Sequence, residues 1–333
     1  MNKTFIIAEM SANHNQNKDI ALQTIREAKK AGADAIKIQT YTADTITLNC
    51  DTPDFNATGK LWEGQSLYSL YQKAYTPWEW HKEIFEVAKE EGILCFSSPF
   101  DKTAVDLLEE LGTPIYKIAS PEVVDIPLIR YIASKHKPII LSTGLASIED
   151  IELALSVMKE EGCEDITLLK CTAEYPAPIE DANLATLHDM KERFRVKVGI
   201  SDHTMGCDIA VAAVALGAEV VEKHFIIDRS IGGPDSAFSM QAPEFKSMVD
   251  SIRNVEKAIG VISYPDSSEH IRRRSLYVAK NIQAGEKITE ENVRSVRPGF
   301  GLHPKYLPKV LGKIAVRDLE MGERFSLDMI REE

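Results

Sequence analysis

Two histidines, His203 and His224, stand at the polar ends of two short apolar runs, VGISDHT and VVEKHF, which flank one small-residue segment. A βαβ unit sets such runs side by side as parallel strands. Both polar clusters, Ser201-Asp202-His203 and Glu222-Lys223-His224, then emerge at one carboxyl-terminal edge. A lone histidine at a strand end is commonly just a polar loop residue. A pair at matching ends, each flanked by an acid or a hydroxyl, favours a shared divalent metal that polarises a carbonyl oxygen. Two imidazoles are fewer ligands than a structural zinc site uses, so water or substrate must complete the shell. Glu9 and Glu222 are candidates for proton transfer or for orienting water. Asp235, in IGGPDSAFS, suits either a hydrogen-bond acceptor for a polar substrate or an Asx turn.

Lysines inside apolar strands are the second signal. Lys37 in AIKIQ and Lys117 in IYKIA are costly to bury unless each meets an anion. With the hydroxyls of Ser98, Ser120, Ser142 and Ser201 they form a candidate phosphate or carboxylate cradle. The chain carries a net charge of −12, which argues against nucleic-acid and anionic-membrane partners. An anionic substrate would therefore need this kind of local placement. The same lysines admit a rival chemistry, a Schiff-base aldolase with Lys37, Lys117, Lys170 or Lys223 as nucleophile. A carbohydrate-binding protein without catalysis is a third reading, but two histidines, two acids and an anion cradle exceed what binding requires.

Eight strand-like runs must carry these residues: FIIAEM, AIKIQTY, ILCFSSPF, IYKIAS, PIILSTG, ITLLKC, KVGISD and VVEKHF. Helical patterns follow near 18–31, 102–111, 125–135, 147–161, 183–193, 206–216 and 242–259, and a long aromatic excursion through Trp62, Tyr68, Tyr71 and Trp80 follows the second run. Buried parallel strands read as unbroken apolar runs, and eight βα units of this length predict an α/β fold, a closed (β/α)8 TIM barrel spanning 1–260. An open doubly wound sheet is the runner-up, but no GxGxxG follows the first strand. In each run a hydroxyl, amide or charged group falls towards the C-terminal end, where barrel enzymes keep their sites.

Residues 261–274 read as a linker ending in Arg272-Arg273-Arg274, a solvated charge run. From 275 to 333 the chain is short and turn-rich, with AGE and MGE turns that predict a small β-rich domain leaning on a partner. The five cysteines form no CxxC pair, which suits a reducing cytoplasm. The apolar start FIIA is broken by Glu9, too soon for a signal-peptide core. No run approaches the roughly 18 apolar residues of a membrane span.

At these residues the chain resembles the sialic acid synthase family, the phosphoenolpyruvate-dependent synthases of nonulosonic acids. The likeness covers nearly the whole length: IIAEM-SANHN, IKIQTY, FSSPF, YKIAS, PIILSTG, KCT-EYP, GISDHT, VVEKHF and GPD on the barrel, LYVAKNIQAGE and RPGFG in the tail. The tail is similar to the family's antifreeze-like (SAF) domain. SANHNQN, the insertion KLWEGQSLYSLYQKAYTPWEWH and GGPDSAFSMQ resemble the branch that makes pseudaminic acid; legionaminic and neuraminic acid synthesis are the alternatives. The resemblance implies condensation of phosphoenolpyruvate with an open-chain 2,4-diacetamido-2,4,6-trideoxy-altrose, with loss of phosphate by C–O cleavage. It also implies that His203 and His224 hold Mn2+, Mg2+ or Co2+. Lys37, Ser98, Lys117, Ser120, Ser142 and Ser201 would hold phosphoenolpyruvate, and Gln39, Tyr175 and Asp235 would contact the sugar. Glu9 would orient or deprotonate the attacking water and Glu222 would assist proton transfer. Arg297 would reach the partner subunit's site in a domain-swapped homodimer. One departure stands out: Ala173 replaces the asparagine of the neuraminate branch's CTN-YP motif, so that amide contact is lost or moved.

Overall fold

Strands whose side chains are apolar on both faces need cover on both sides, and parallel packing inside a ring of helices supplies it. The computed structural model describes residues 3–57, 62–264 and 271–332. Its strands are β1 Phe5–Glu9, β2 Ala35–Thr40, β3 Leu94–Pro99, β4 Tyr116–Ile118, β5 Ile139–Ser142, β6 Ile166–Cys171, β7 Lys197–Asp202 and β8 Val220–Ile226. Each pairs in parallel with the next, and β8 pairs with β1, so the sheet closes. Alternating with them are α1 Lys18–Lys30, α2 Ala43–Ile46, α3 Leu67–Ala74, α4 His81–Glu91, α5 Lys102–Glu110, α6 Ile126–Ala133, α7 Ile148–Glu160, α8 Thr186–Phe194, α9 Asp208–Ala215 and α10 Ala242–Ile259. A short strand, β9 Met240–Gln241, extends the sheet beside β8. This is the (β/α)8 barrel that the apolar runs predict.

Ile7, Ala35, Phe96, Ile140, Leu169 and Val220 fill the barrel centre. Strands β7 and β8 approach so closely there that a Cβ on Gly199 would lie 2.3 Å from the Val220 carbonyl oxygen; only glycine fits. Two larger apolar layers seal the strands against the helices. Between β2 and β3, where the sequence reading assigns no element, the structure places α2, α3 and α4. Ile84, Val87 and Ala88 recur on the buried face of α4, and Gly92 closes it at φ 66°. That is an ordinary amphipathic signal with a left-handed glycine stop.

The chain divides into two compact units, Met1–Gly260 and Val261–Glu333. The second pairs β10 Ser275–Val278 with β11 Val293–Val296, and β12 Ile314–Ala315 with β13 Ile330–Arg331, both antiparallel. With α11 Leu307–Val310, they enclose a small core that includes Leu276, Ile288, Val293, Val310 and Phe325. Of the expected linker, residues 265–270 lie outside the described residues.

Candidate active site

The barrel register brings the predicted residues to one end. Across neighbouring strands Glu9 stands level with Lys37 and with His224, Gln39 with Ser98, and Ser201 with Glu222. Because side chains alternate along each strand, residues at matching heights converge on the same mouth.

Two lysines and two glutamates form its centre. Lys37 Nζ lies 3.1 Å from Glu9 Oε2 and 3.1 Å from Glu222 Oε1. Lys117 Nζ donates to Glu222 Oε1 at 3.3 Å, and Ser201 Oγ donates to the same oxygen at 3.1 Å. All four charged residues are between 1% and 4% exposed. Such ions are held in a dry place only by one another. Burial alone would push the Glu222 carboxyl up, but Lys117 and Lys37 outweigh it and hold the group near 2. Burial dominates at Glu9, which is pushed up to about 7 despite Lys37, with the Glu222 charge adding to the rise. Burial likewise opposes the Lys37 ammonium, yet Glu222 and Glu9 prevail and raise its pKa. At Lys117 burial wins and lowers it, even with Glu222 in contact. The cluster thus joins one firmly ionised acid to another poised near neutrality.

Around it lie groups with unmet hydrogen-bonding capacity. Ser98 Oγ, Ser142 Oγ and Glu222 Oε2 are buried and have no partner. Native proteins rarely leave such atoms orphaned without a use. Ser120 Oγ accepts from Gly144 N at 3.0 Å, and Gln39 Nε2 donates to Glu9 Oε1 at 3.0 Å and to Ser11 Oγ at 3.1 Å. Serine hydroxyls and two ammonium groups converging in a low-dielectric pocket suit an anion rich in acceptor oxygens.

The histidines form the other half. Their ring centroids are 5.4 Å apart. His203 Nδ1 lies 2.8 Å from the Thr172 carbonyl oxygen. A carbonyl only accepts, so Nδ1 carries the proton and Nε2 keeps its lone pair, the orienting contact typical of a metal-ligating histidine. At His224 burial, with His203 and Lys37 nearby, drives the pKa well below the usual value and keeps the ring neutral. Its Nδ1 is buried without a partner, 3.9 Å from Asp235 Oδ2. Burial opposes the His203 imidazolium, but Cys171 and the Thr172 carbonyl outweigh it and raise its pKa, so where the ring is protonated a cation there would displace the Nε2 proton. With that proton displaced, two imidazoles with uncommitted nitrogens fit a divalent cation that takes its remaining ligands from water or substrate. Among the described residues no group of three or more His, Cys, Asp or Glu is arranged as a metal site.

Tyr175 lies on His203, centroids 4.2 Å apart, and reaches Phe238 at 5.1 Å. Asp235 accepts from Ala12 N at 3.3 Å; burial raises its pKa against that bond and one from Ser11. Arg297 belongs to the second unit. It is exposed and has no hydrogen-bond or ion-pair partner among the described residues, and the turn after it is pinned by Ser275 Oγ, which donates to Pro298 O and accepts from Gly301 N, both at 2.8 Å. Two of the four lysines considered as nucleophiles are engaged elsewhere. Lys223 pairs with Asp202 Oδ2 at 2.6 Å, and Lys170 donates to the Asp181 carbonyl at 2.9 Å.

Three side chains at this end escape sequence reasoning. Trp62 and Phe238 sit in loops, where an aromatic reads the same whether it staples a core or lines a site. Glu122 follows Ser120 in a single helical turn and resembles a first-turn acid. Its Oε2 is buried and unpartnered, and burial pushes its carboxyl up to about 7. A carboxyl two residues past a site serine is the signal that could have found it.

A family model described as the NeuB family matches residues 24–264, and an SAF domain model matches 273–331. The chain is 51% identical to the pseudaminic acid synthase of Campylobacter jejuni subsp. jejuni serotype O:23/36 (strain 81-176), over 96% of this chain and 95% of that one. It is 46% identical to the pseudaminic acid synthase of Helicobacter pylori (strain ATCC 700392 / 26695), over 98% and 97%. Among solved structures, the N-acetylneuraminic acid synthetase of Leptospira borgpetersenii serovar Hardjo-bovis superposes with a TM-score of 0.71 at 33% identity, covering 80% of this chain and 89% of that one.

Proposed function

The chain belongs to the NeuB family, and on that premise we propose that it acts as a pseudaminic acid synthase. It condenses phosphoenolpyruvate with open-chain 2,4-diacetamido-2,4,6-trideoxy-β-L-altropyranose, giving pseudaminic acid and phosphate. About half of its residues are identical to those of enzymes with that activity, over nearly the full length. Legionaminic and N-acetylneuraminic acid synthesis are the alternatives within the family. The observation that carries the chemistry is the dry cradle: two buried lysines held on carboxylates, beside orphaned Ser98 and Ser142 hydroxyls.

In this reading the anionic substrate draws hydrogen bonds from Lys37, Lys117, Ser98, Ser120, Ser142 and Ser201. A barrel of net charge −12 needs no positive surface for this, because the ammonium groups wait already desolvated and paired. Carbon C3 of phosphoenolpyruvate bonds to the aldehyde carbon, leaving C2 cationic. Water adds at C2, and the C–O bond to phosphate then breaks. Glu9, poised near neutrality beside Lys37, orients the water and accepts its proton, while Glu222 stays ionised and assists proton transfer near the histidines. Gln39 buttresses Glu9; Tyr175 and Asp235 contact the sugar. His203 and His224 would hold Mn2+, Mg2+ or Co2+, which when bound would polarise the aldehyde oxygen. Arg297, exposed on a pinned turn, would complete the site of a partner subunit in a domain-swapped homodimer. Free thiols at all five cysteines support a cytoplasmic setting. We place the catalytic unit at 1–260, the linker at 261–274 and the SAF unit at 275–333.

Phosphate release from phosphoenolpyruvate with a panel of 2-acetamido sugars tests the reading. The diacetamido-trideoxy sugar should react fastest. Chelation should abolish turnover until a divalent cation is restored, and His203→Ala and His224→Ala should each lose most of it. Equal or better turnover of N-acetylmannosamine would overturn the sugar assignment. A borohydride-trapped lysine adduct, with activity surviving chelator, would establish the Schiff-base alternative instead.

A further inference from the structure

The mouth of the barrel has two chemically different halves. One holds the ammonium groups and hydroxyls carried by β2 to β5 and β7. On the β8 side, Tyr175, Phe238 and Trp62 form one continuous aromatic patch: Tyr175 stands 5.1 Å from Phe238 and 5.8 Å from Trp62, and Phe238 stands 5.0 Å from His224. Trp62 comes from far away in the chain, from the insertion between α2 and α3. Its indole Nε1–H donates to the Pro234 carbonyl at 3.3 Å, which fixes the ring beside Asp235. Trp62 is half-buried, so some of its surface stays accessible at the rim of the patch. An indole held by one hydrogen bond, in contact with a tyrosine that itself lies 4.2 Å from His203, adds apolar surface to the histidine end of the mouth.

The geometry points to Trp62 as a specificity-determining residue, whose face packs on the methyl groups of the sugar. This rests on the sugar assignment above. Relative to N-acetylmannosamine, a 2,4-diacetamido-2,4,6-trideoxy sugar replaces one hydroxyl with an acetamido group and another with hydrogen, so it offers two further methyl groups. An aromatic face attracts methyl groups and leaves a hydroxyl without a partner. Asp235, next to Pro234, takes the polar side of the same ligand. The selecting contact is therefore brought in by the insertion, which contributes none of the residues of the cradle for phosphoenolpyruvate.

The test is the ratio of kcat/KM for the diacetamido-trideoxy sugar to that for N-acetylmannosamine. Trp62→Ala should lower this ratio by about 10- to 100-fold, the range of one to two methyl contacts, with KM for phosphoenolpyruvate within about twofold of wild type. Two further variants separate the face from the anchor. Trp62→Gln retains a donor for the Pro234 carbonyl but no ring, and its ratio should collapse likewise. Trp62→Phe retains a ring but no donor, and should keep most of the discrimination. An unchanged ratio in a folded Trp62→Gln, or an equal fall for both sugars, would overturn the proposal. In wild type, a preference for N-acetylmannosamine would overturn the sugar assignment, and this inference with it. A wild-type preference for the diacetamido sugar that survives Trp62→Ala and Trp62→Gln would overturn this inference alone.

Discussion

Replacing Lys37 with methionine should destabilise the barrel by about 3–5 kcal/mol at pH 8, the cost of removing one partner from a buried ion pair. The structure says where that cost falls. Among the described residues Lys37 Nζ is the only cation within ion-pair reach of Glu9, at 3.1 Å, whereas Glu222 keeps Lys117 at 3.3 Å and the Ser201 hydroxyl at 3.1 Å. In Lys37→Met the stranded charge is therefore Glu9. Its carboxyl, already raised to about 7 by burial, rises further without the lysine and escapes by taking up a proton. A folded-state pKa above the unfolded value means stability that is present at low pH and lost as pH rises. The penalty should accordingly shrink between pH 8 and pH 6, by up to about 1.4 kcal/mol per pH unit.

Adding Glu9→Gln removes the stranded charge and leaves a balanced Glu222–Lys117 pair. The double variant should recover about 2–3 kcal/mol of the loss at pH 8, a coupling within the range measured for residues in one network. It should recover no activity, because the proposed anion ligand and the proposed base are both gone. Denaturant unfolding followed by tryptophan fluorescence reads this cleanly. The three tryptophans, Trp62, Trp78 and Trp80, all lie in the first unit, so the second unit does not blur the transition. Additive single-variant effects, or a Lys37→Met penalty that does not change with pH, would refute the assignment of Lys37 as the counter-charge of Glu9.

Two other predictions concern acid stability and assembly. His14 and His81 are buried and neutral, each pushed down to about 4 chiefly by burial. Both ionise near 6.5 when unfolded, so their contribution is intact above that pH and lost as pH falls towards 4. Glu9 acts in the opposite sense over part of this range, so the readout is a difference: the stability gap between wild type and His81→Gln should narrow by about 2 kcal/mol from pH 7 to pH 5, and a constant gap would contradict it. If Arg297 acts across subunits, a heterodimer of Arg297→Ala with His224→Ala should regain activity through one intact site. A purified heterodimer as inactive as both parents would place Arg297 in its own subunit's site or outside catalysis.

Much of the fold was legible because burial on both strand faces leaves an unmistakable trace. FIIAE and IILS read as strands because their apolar runs are broken only at the last residue, and VVEKHFI because a polar cluster interrupts two apolar ends. The lysines were legible for the same reason inverted: Lys37 and Lys117 break apolar runs, and only a nearby anion makes that tolerable. What the sequence hid is which anion. Both lysines rest on Glu222, and Lys37 also on Glu9, a pairing set by register between strands far apart in the chain. The segment between β2 and β3 was harder. Its aromatics masked the ordinary spacing of Ile84, Val87 and Ala88, and Trp62 reveals its neighbours only once the insertion is seen against the loop after β8.

The register also bears on why an acidic protein can take an anionic substrate. A surface patch of lysines would attract the anion, but salt would screen it, and each ammonium would have to shed water on binding. In the barrel mouth that desolvation is completed during folding, with Glu222 and Glu9 as internal counter-ions. In the proposed reading, an arriving anion exchanges one set of acceptors for another at little desolvation cost to the lysines. The orphaned Ser98 and Ser142 hydroxyls add donors that have no competing partner. In that reading the same exchange bears on Glu9. As Lys37 turns towards the ligand, the carboxylate loses its closest stabilising charge and its pKa, already about 7, rises further. Binding of the anion should therefore be accompanied by proton uptake at Glu9, and the group acts as the stronger base only in the fraction that stays ionised.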